Sequence, residues 1–265
     1  MNSELDKRVE QAELIIRKAG DLALSYFRSV KTLKVESKGL QDRVSKADRE
    51  VEQLIRESLL ALFPLDGFVG EESGVSGSFG DDQFVWVVDP IDGTDCFVHA
   101  IPVWCISIAL IQGSDIKAGF VFDPNSAELF SACRDQGAIC NGEPIFASQA
   151  KSITEGIVAI GFSHRVKPDS TLKSLTALLN AGGVFQRNGS AALSLAYVAS
   201  GRYLGFFETH INSWDVLAGL ALAREAGALS NDFLENNGLL EGNPVITAAA
   251  GIDGELREIC KILLE

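Results

Sequence analysis

The first thirty residues repeat apolar side chains at helical spacing. Leu5, Val9, Ala12, Ile15, Ile16, Ala19, Leu22 and Leu24 fall on one face and predict a helix over 4–29. A polar stretch from Lys34 to Arg43 breaks the pattern. Ser45-Lys46-Ala47-Asp48 then reads as a capping box, a hydroxyl at the N-cap with an acidic side chain three residues on. It opens a second helix that Pro64 stops, with Val51, Leu54, Ile55, Leu59 and Leu62 expected on its buried side. Beyond Pro64 the period changes. Phe68-Val69, Phe84 to Val88, Ile106 to Ile111, Gly119 to Phe122 and Leu129-Phe130 are short apolar runs bounded by Gly, Pro and Asp, and they predict strands. Later in the chain, helices are expected at 171–180, 190–200, 215–226 and 254–264, and strands near 157–161, 203–208 and 245–249. There is no repeat, low-complexity tract or linker. The pattern predicts an α+β fold of two closely packed α/β halves, 1–148 and 149–265.

Composition narrows the function. The chain has 265 residues, 46% hydrophobic and 22% charged, enough to bury a sizeable core. Asp plus Glu is 36 against 23 Lys plus Arg, a net charge of −13. Such a surface repels nucleic-acid phosphates and anionic lipids, so neither a nucleic acid nor a membrane is an expected partner. It also repels an anionic small substrate unless the field reverses locally, and bound divalent cations would do that. The five cysteines, Cys96, Cys105, Cys133, Cys140 and Cys260, include no CxxC pair and sit mostly in apolar surroundings. They read as free thiols in a reducing compartment, not as structural zinc ligands. A polar start without a signal-peptide core, and no apolar run approaching about 18 residues, lead to the expectation of a soluble cytoplasmic protein.

Four features concentrate chemistry: Gly70-Glu71-Glu72-Ser73, Trp86-Val87-Val88 running into Asp89-Pro90-Ile91-Asp92-Gly93-Thr94, Gly189-Ser190-Ala191-Ala192 at a helix start, and Trp214-Asp215 at another. In the second, a buried strand delivers Asp89, Pro90 fixes the turn and Gly93 releases it. Two carboxylates three residues apart on a rigid turn can converge on one point. Like charges so close are costly unless a cation neutralises them, and hard oxygen ligands select Mg²⁺, Mn²⁺ or Ca²⁺. Taken alone, Asp-Pro and Asp-Gly are also ordinary turn grammar, Glu71-Glu72 fits a solvated loop, and Asp215 fits a helix cap. An Asp-x-Asp-Gly-Thr nucleophile motif of the haloacid-dehalogenase type is excluded, because two residues, Pro90 and Ile91, separate the aspartates.

Together these blocks, with Arg187 to Glu208, resemble the inositol monophosphatase family in order and spacing over roughly residues 10–250. The resemblance implies a layered αβαβα sandwich. It implies Mg²⁺ dependence with two or three ions, substitution by Mn²⁺, and inhibition by Ca²⁺ or Li⁺. It further implies that Glu71, Asp89, the Ile91 carbonyl, Asp92 and Asp215 ligate metal, and that Thr94 and Asp48, with Glu71, activate water for direct attack without a phospho-enzyme. Asp92, Gly93, Thr94, Gly189, Ser190, Ala191, Glu208 and Asp215 are the implied substrate contacts, Glu208 binding sugar hydroxyls. The helix opening near Ser190 is expected to turn its positive end to the substrate.

Three positions depart from the family pattern. Asp95-Cys96 stands where Thr or Lys followed by Asn is usual, Leu217 replaces a small residue expected at the pocket wall, and the basic residue of the 34–46 segment is Lys38 or Lys34. The expected reaction is hydrolysis of inositol 1-phosphate. Histidinol phosphate, which Pro102-Val103-Trp104 recommends, is an alternative, as are fructose 1,6-bisphosphate, 3′-phosphoadenosine 5′-phosphate and NADP. The resemblance also suggests a homodimer. Some bacterial relatives contact RNA or the transcription machinery, so a regulatory protein-binding role is the alternative of a different class. Of the histidines, His99 is expected to pack or to make a polar contact in its loop rather than to be a ligand, His164 to lie on a surface loop, and His210 to be structural or to approach the substrate.

Overall fold

The computed structural model describes residues 3–32, 35–39 and 42–261. The elements, in chain order, begin with α1 (Ser3–Arg28), the hairpin β1 (Val35–Gly39) and β2 (Asp42–Ser45), and α2 (Lys46–Leu62). They continue through β3 (Gly67–Gly70), β4 (Gly74–Ser76), β5 (Phe84–Asp92), α3 (Thr94–Val98), β6 (Cys105–Gln112), β7 (Asp115–Asp123), β8 (Glu128–Cys133), β9 (Ala138–Cys140) and β10 (Glu143–Ile145). The second half contains β11 (Ile157–Ile160), α4 (Asp169–Asn180), β12 (Val184–Gln186), α5 (Ala191–Ala199), β13 (Gly205–Ile211), α6 (Ser213–Glu225), β14 (Ala228–Ser230), α7 (Gly238–Glu241), β15 (Asn243–Ala249) and α8 (Asp253–Ile259).

Beside the hairpin β1–β2, the described strands form a sheet of eight, ordered β10-β9-β8-β7-β6-β5-β3-β4, and a sheet of five, ordered β12-β11-β13-β15-β14. Helices α1 and α2 cover one face of the larger sheet, α5 and α6 fill the space between the sheets, and α4 and α8 cover the far face of the smaller one. The layers are therefore α, β, α, β, α. Alternation along β5 shows why both faces must be covered. Trp86 and Val88 point into the core beneath α1 and α2, while Val85 and Val87 point into the core with α5 and α6. Ala159 and Phe206 face that middle layer, and Val158, Phe207 and Ile246 face α4 and α8.

The predicted long elements are present, with shifts at their ends. Leu62, expected on the buried side of α2, is half exposed at the helix terminus. The helix expected to start at 215 starts at Ser213 with Asn212 as its N-cap, so Asp215 lies inside the first turn. The polar stretch after Lys34 pairs as the hairpin β1–β2, and α3, β4, β9, β10, β12 and β14 were not predicted. All are short, and their edge strands carry too few alternating positions to stand out. The capping hydroxyl proposed for Ser45, the side chain of Lys38, Lys34 and residues 262–264 of the last predicted helix lie outside the described residues.

A buried anchor ties α1 to the larger sheet. Arg8 donates from Nε and Nη2 to the two oxygens of Asp66 at 2.8 and 2.7 Å, and Trp86 Nε1 donates to Asp66 Oδ2 at 3.0 Å. The guanidinium lies over the rings of Phe63 and Phe84, at 4.6 and 4.3 Å. The pair is bidentate and fully partnered, the condition under which buried charge is tolerated.

Candidate active site

The site forms where β5 ends. The ladder between β5 and β6 pairs Asp89 with Ser107 and then Asp92 with Cys105, so one extra residue bulges from β5 between them. A bulge re-aims the following side chain, and it lets both aspartates face one side. Asp89 Oδ1 accepts the N–H of Ile91 at 2.9 Å, which locks the turn. Gly93 has φ of +101°, and a β-carbon there would lie 2.9 Å from the Val103 carbonyl, so a side chain is excluded twice over. Thr94 opens α3, and its Oγ1 lies 3.0 Å from the Ile91 carbonyl and 3.3 Å from Asp48 Oδ1. Asp48 is fully buried on α2.

Asp215 comes to the same point from α6, where its Oδ2 accepts the N–H of Asn212 at 3.1 Å. Carboxylate oxygens of Asp89, Asp92 and Asp215 all lie within 4.8 Å of one another. Glu71, in the turn after β3, is half-buried beside this trio, close enough that its charge acts on Asp89. Burial drives the acidity down throughout. Asp89 is pushed well above the ordinary carboxylate range by desolvation and by the charges of Glu71, Asp92 and Asp215. Asp92 is raised to about 7 by desolvation and by Asp215, against hydrogen bonds from Ser190, Ala192 and Ala191. Asp215 is raised to about 6, chiefly by desolvation. Three carboxylates whose charged forms are this unfavourable, Asp89 and Asp92 buried and Asp215 half-buried, offer oxygen donors alone and fit a hard divalent cation, which would restore the charged state. Asp89, Asp92 and Asp215, with Glu71 beside Asp89, could hold it.

The trio opens into a cavity of about 720 Å³. Glu71, Asp92, Gly93, Thr94, Gly189, Ser190, Ala191, Glu208 and Asp215, all singled out from the sequence, line it. Asp89 lies beneath, and Asp48 stands behind Thr94. Gly189 has φ of +97° and packs against Cys96 Sγ. Ser190 caps α5, accepting the N–H of Leu193 at 3.2 Å and donating to Asp92 Oδ2 at 2.6 Å. The N–H of Ala192 donates to the same oxygen at 2.6 Å. The positive end of α5 is thus spent on Asp92 itself and not, as expected, on the open pocket. Glu208, on β13, is raised to about 8 by desolvation and by Asp215, with Arg187 and Arg165 opposing. Gly161 leaves the room that the Glu208 carboxylate occupies.

Two expectations from the sequence change. Leu217 is fully buried in the middle core and does not line the cavity, so it is a packing residue and not a pocket wall. Trp104, part of the segment favouring histidinol phosphate, is fully buried against Phe97 and Phe27 and does not reach the cavity either. Asp95 is exposed on the cavity rim. His210 hydrogen-bonds the Glu241 carbonyl at 3.0 Å, and His99 contacts the Asp95 carbonyl at 2.7 Å, so both are engaged structurally. His164 is exposed, as expected of a loop, but it also lines the cavity.

Sequence reading missed Phe162, Ser163 and Arg165 in the cavity wall. The available signal was topological. They follow β11, which runs parallel to both β12 and β13, and ligands sit beyond the carboxyl ends of parallel strands.

A layered sandwich with buried carboxylates clustered at a strand end, and a polar cavity above them, defines a hydrolytic enzyme site of the metal-dependent phosphatase kind. The sequence matches the model of the inositol monophosphatase family over residues 4–263, and the chain belongs to that family. It is a phosphoric monoester hydrolase. It is 38% identical to the inositol-1-monophosphatase of Rhizobium meliloti (strain 1021) over 245 residues, 91% of each chain. It is 36% identical to the Nus factor SuhB of Escherichia coli K12 over 256 residues, 92% of this chain and 95% of that one. Among solved structures, the extragenic suppressor protein suhB of Bartonella henselae superposes with a TM-score of 0.87 at 34% identity, covering 97% of this chain and 98% of that one. The inositol monophosphatase of Anabaena superposes at 0.84 and 28% identity, covering 98% and 97%. No helix among the described residues is long and apolar enough to cross a membrane.

Proposed function

We propose that this chain hydrolyses inositol 1-phosphate to inositol and phosphate, with Mg²⁺ held by Glu71, Asp89, the Ile91 carbonyl, Asp92 and Asp215. The observation that carries the reading is the convergence of three carboxylates, two buried and one half-buried, within 4.8 Å at the floor of a cavity whose wall presents Glu208. A divalent cation in this cage supplies charge stabilisation to phosphoryl oxygens and acidifies water. Thr94 Oγ1 accepts a hydrogen bond from the attacking water and hands its own proton toward Asp48, which is oriented by α2. Glu208 accepts from hydroxyls of the leaving alcohol, a task for which a polyol is better suited than a nucleotide base. Ser190, with the first N–H groups of α5, holds Asp92 in the orientation the cage needs. Arg165 and Arg187 at the wall offset part of the acidic field that a chain of net charge −13 presents to a phosphate.

The test is phosphate release from inositol 1-phosphate, histidinol phosphate, fructose 1,6-bisphosphate, 3′-phosphoadenosine 5′-phosphate and NADP, with and without Mg²⁺. The highest kcat/KM is expected for inositol 1-phosphate, with no release when Mg²⁺ is chelated. A preference for histidinol phosphate would overturn the substrate assignment, and release in chelator would overturn the metal assignment. Relatives carrying the name Nus factor SuhB favour a second reading, a regulatory role through protein contacts beside the hydrolysis. Retention of a specific protein partner by the inactive Asp92→Asn chain is the observation that would support it.

A further inference from the structure

The buried face of α2 carries a second carboxylate that the mechanism above does not use. Glu52 stands four residues beyond Asp48, so the two share a face about 6 Å apart along the axis. Its neighbours on that face are Ala47, Val51, Ile55 and Leu59, and packing alone would have been served by another apolar side chain. Glu52 is only 2% exposed. Its Oε2 accepts the N–H of Glu72 and its Oε1 the N–H of Ser73, each at 2.8 Å. Those are the two residues directly after Glu71. On the other side, a β-carbon at Gly70 would stand 2.6–2.7 Å from the Glu52 carboxylate atoms, so the carboxyl group is wedged against the end of β3 as well.

Glu71 is therefore held from both directions. Its own N–H reaches the Val88 carbonyl at 3.2 Å, and the next two N–H groups end on Glu52. A buried carboxylate is expensive unless several donors meet it, and consecutive backbone N–H groups of a turn form such a concave donor set. The same helix places Asp48 within 3.3 Å of Thr94 Oγ1. One rigid rod thus spans two separated parts of the site, the Glu71 turn and the Thr94 hydroxyl.

We propose that Glu52 is a positioning residue, which sets the affinity of the carboxylate cage for its cation by fixing the Glu71 turn relative to Asp89. The inference rests on the metal reading of that cage. It is tested on the full chain by Mn²⁺ binding, followed through the electron paramagnetic resonance of free Mn²⁺, beside thermal unfolding and amide hydrogen exchange of the metal-free protein. Glu52→Gln removes the charge and turns one acceptor into a donor facing an N–H. It should raise the Mn²⁺ dissociation constant roughly tenfold, the lower end of what partners behind metal ligands contribute. It should also accelerate exchange at Glu72 and Ser73. Glu52→Asp keeps the charge on a shorter arm, and its effect should be smaller. Gly70→Ala, whose methyl group displaces the carboxylate, should weaken Mn²⁺ binding while Glu52 is intact. Leu59→Ala, on the same helix away from the turn, should lower the Tm and leave the Mn²⁺ curve in place. The proposal is overturned if Glu52→Gln, or Glu52→Asp should the former not fold, loses Tm as Leu59→Ala does but binds Mn²⁺ like the wild type. Absence of Mn²⁺ binding by the wild type would instead remove the metal reading, with the exchange data still reporting whether Glu52 anchors the turn.

Discussion

Replacing Asp92 by Asn should stabilise the metal-free protein while abolishing its chemistry. Burial and Asp215 hold Asp92 near 7, against an ordinary value of 3.8. For an acid whose folded pKa is raised, the sign is unfavourable. The folded state binds more protons than the unfolded one between about pH 4 and 7, so stability falls across that interval and the loss is complete above it. A shift of about three pH units corresponds to about 4 kcal/mol at most. Relaxation and sharing of the proton with Asp215 leave about 1–3 kcal/mol recoverable by a neutral isostere. Asn can place its amide oxygen where Oδ2 now accepts from Ser190 Oγ and the Ala192 N–H, both at 2.6 Å. Its NH₂ group then faces the remaining carboxylates as a donor, so no buried polar atom is stranded. For a chain of this size about 1–3 kcal/mol is on the order of 5 °C in Tm. Thermal unfolding at pH 8 in chelator should show that gain, and it should shrink toward pH 5 as the wild-type carboxyl takes up its proton. Added Mg²⁺ should raise the wild-type Tm by mass action and leave the variant unmoved, and phosphate release should vanish. The reasoning is refuted if Asp92→Asn melts below the wild type at pH 8 in chelator, or if it releases phosphate at ordinary Mg²⁺.

Other outcomes follow from the same geometry. With Asp215 near 6, Asp92 near 7 and Glu208 near 8, and with Asp89 also raised by burial, the metal-free chain should be more stable at pH 5.5 than at pH 8.5, and denaturant midpoints in chelator check this. Saturating Mg²⁺ should reduce or invert that slope, because cation and proton compete for the same oxygens. Thr94→Val should lower kcat by about 10²–10⁴ with Mn²⁺ binding retained, as loss of a proton-handling hydroxyl does; an unchanged kcat removes Thr94 from the mechanism. Leu217→Ala should cost about 2–5 kcal/mol in urea unfolding without altering the order of substrate preference, since the side chain is fully buried in the middle core.

The amino-acid sequence by itself determined the long elements and singled out the three aspartates that the structure clusters. Helical spacing in 4–29 and apolar continuity at Phe84 to Val88 survive in α1 and β5, because burial of a face imposes a period that any reader of the chain can see. Asp89, Asp92 and Asp215 were legible because each sits at an element end, where a carboxylate has either a turn to make or a ligand to meet, and because Glu71 and Glu208 recur at family spacing. Only the tertiary structure decided which side chains those elements bring together. Nothing in the helical pattern singles out Glu52, and it becomes an anchor only when β3 delivers the turn at 71–73 to it. Arg165 enters the cavity through the parallel placement of β11, and Trp104 and Leu217 leave the substrate for the core, since long-range packing and not local pattern sets which face of a residue meets water. The bulge in β5 has the same origin. Its extra residue exists only relative to β6, and it turns Asp92 toward Ser190, 98 residues away in the chain.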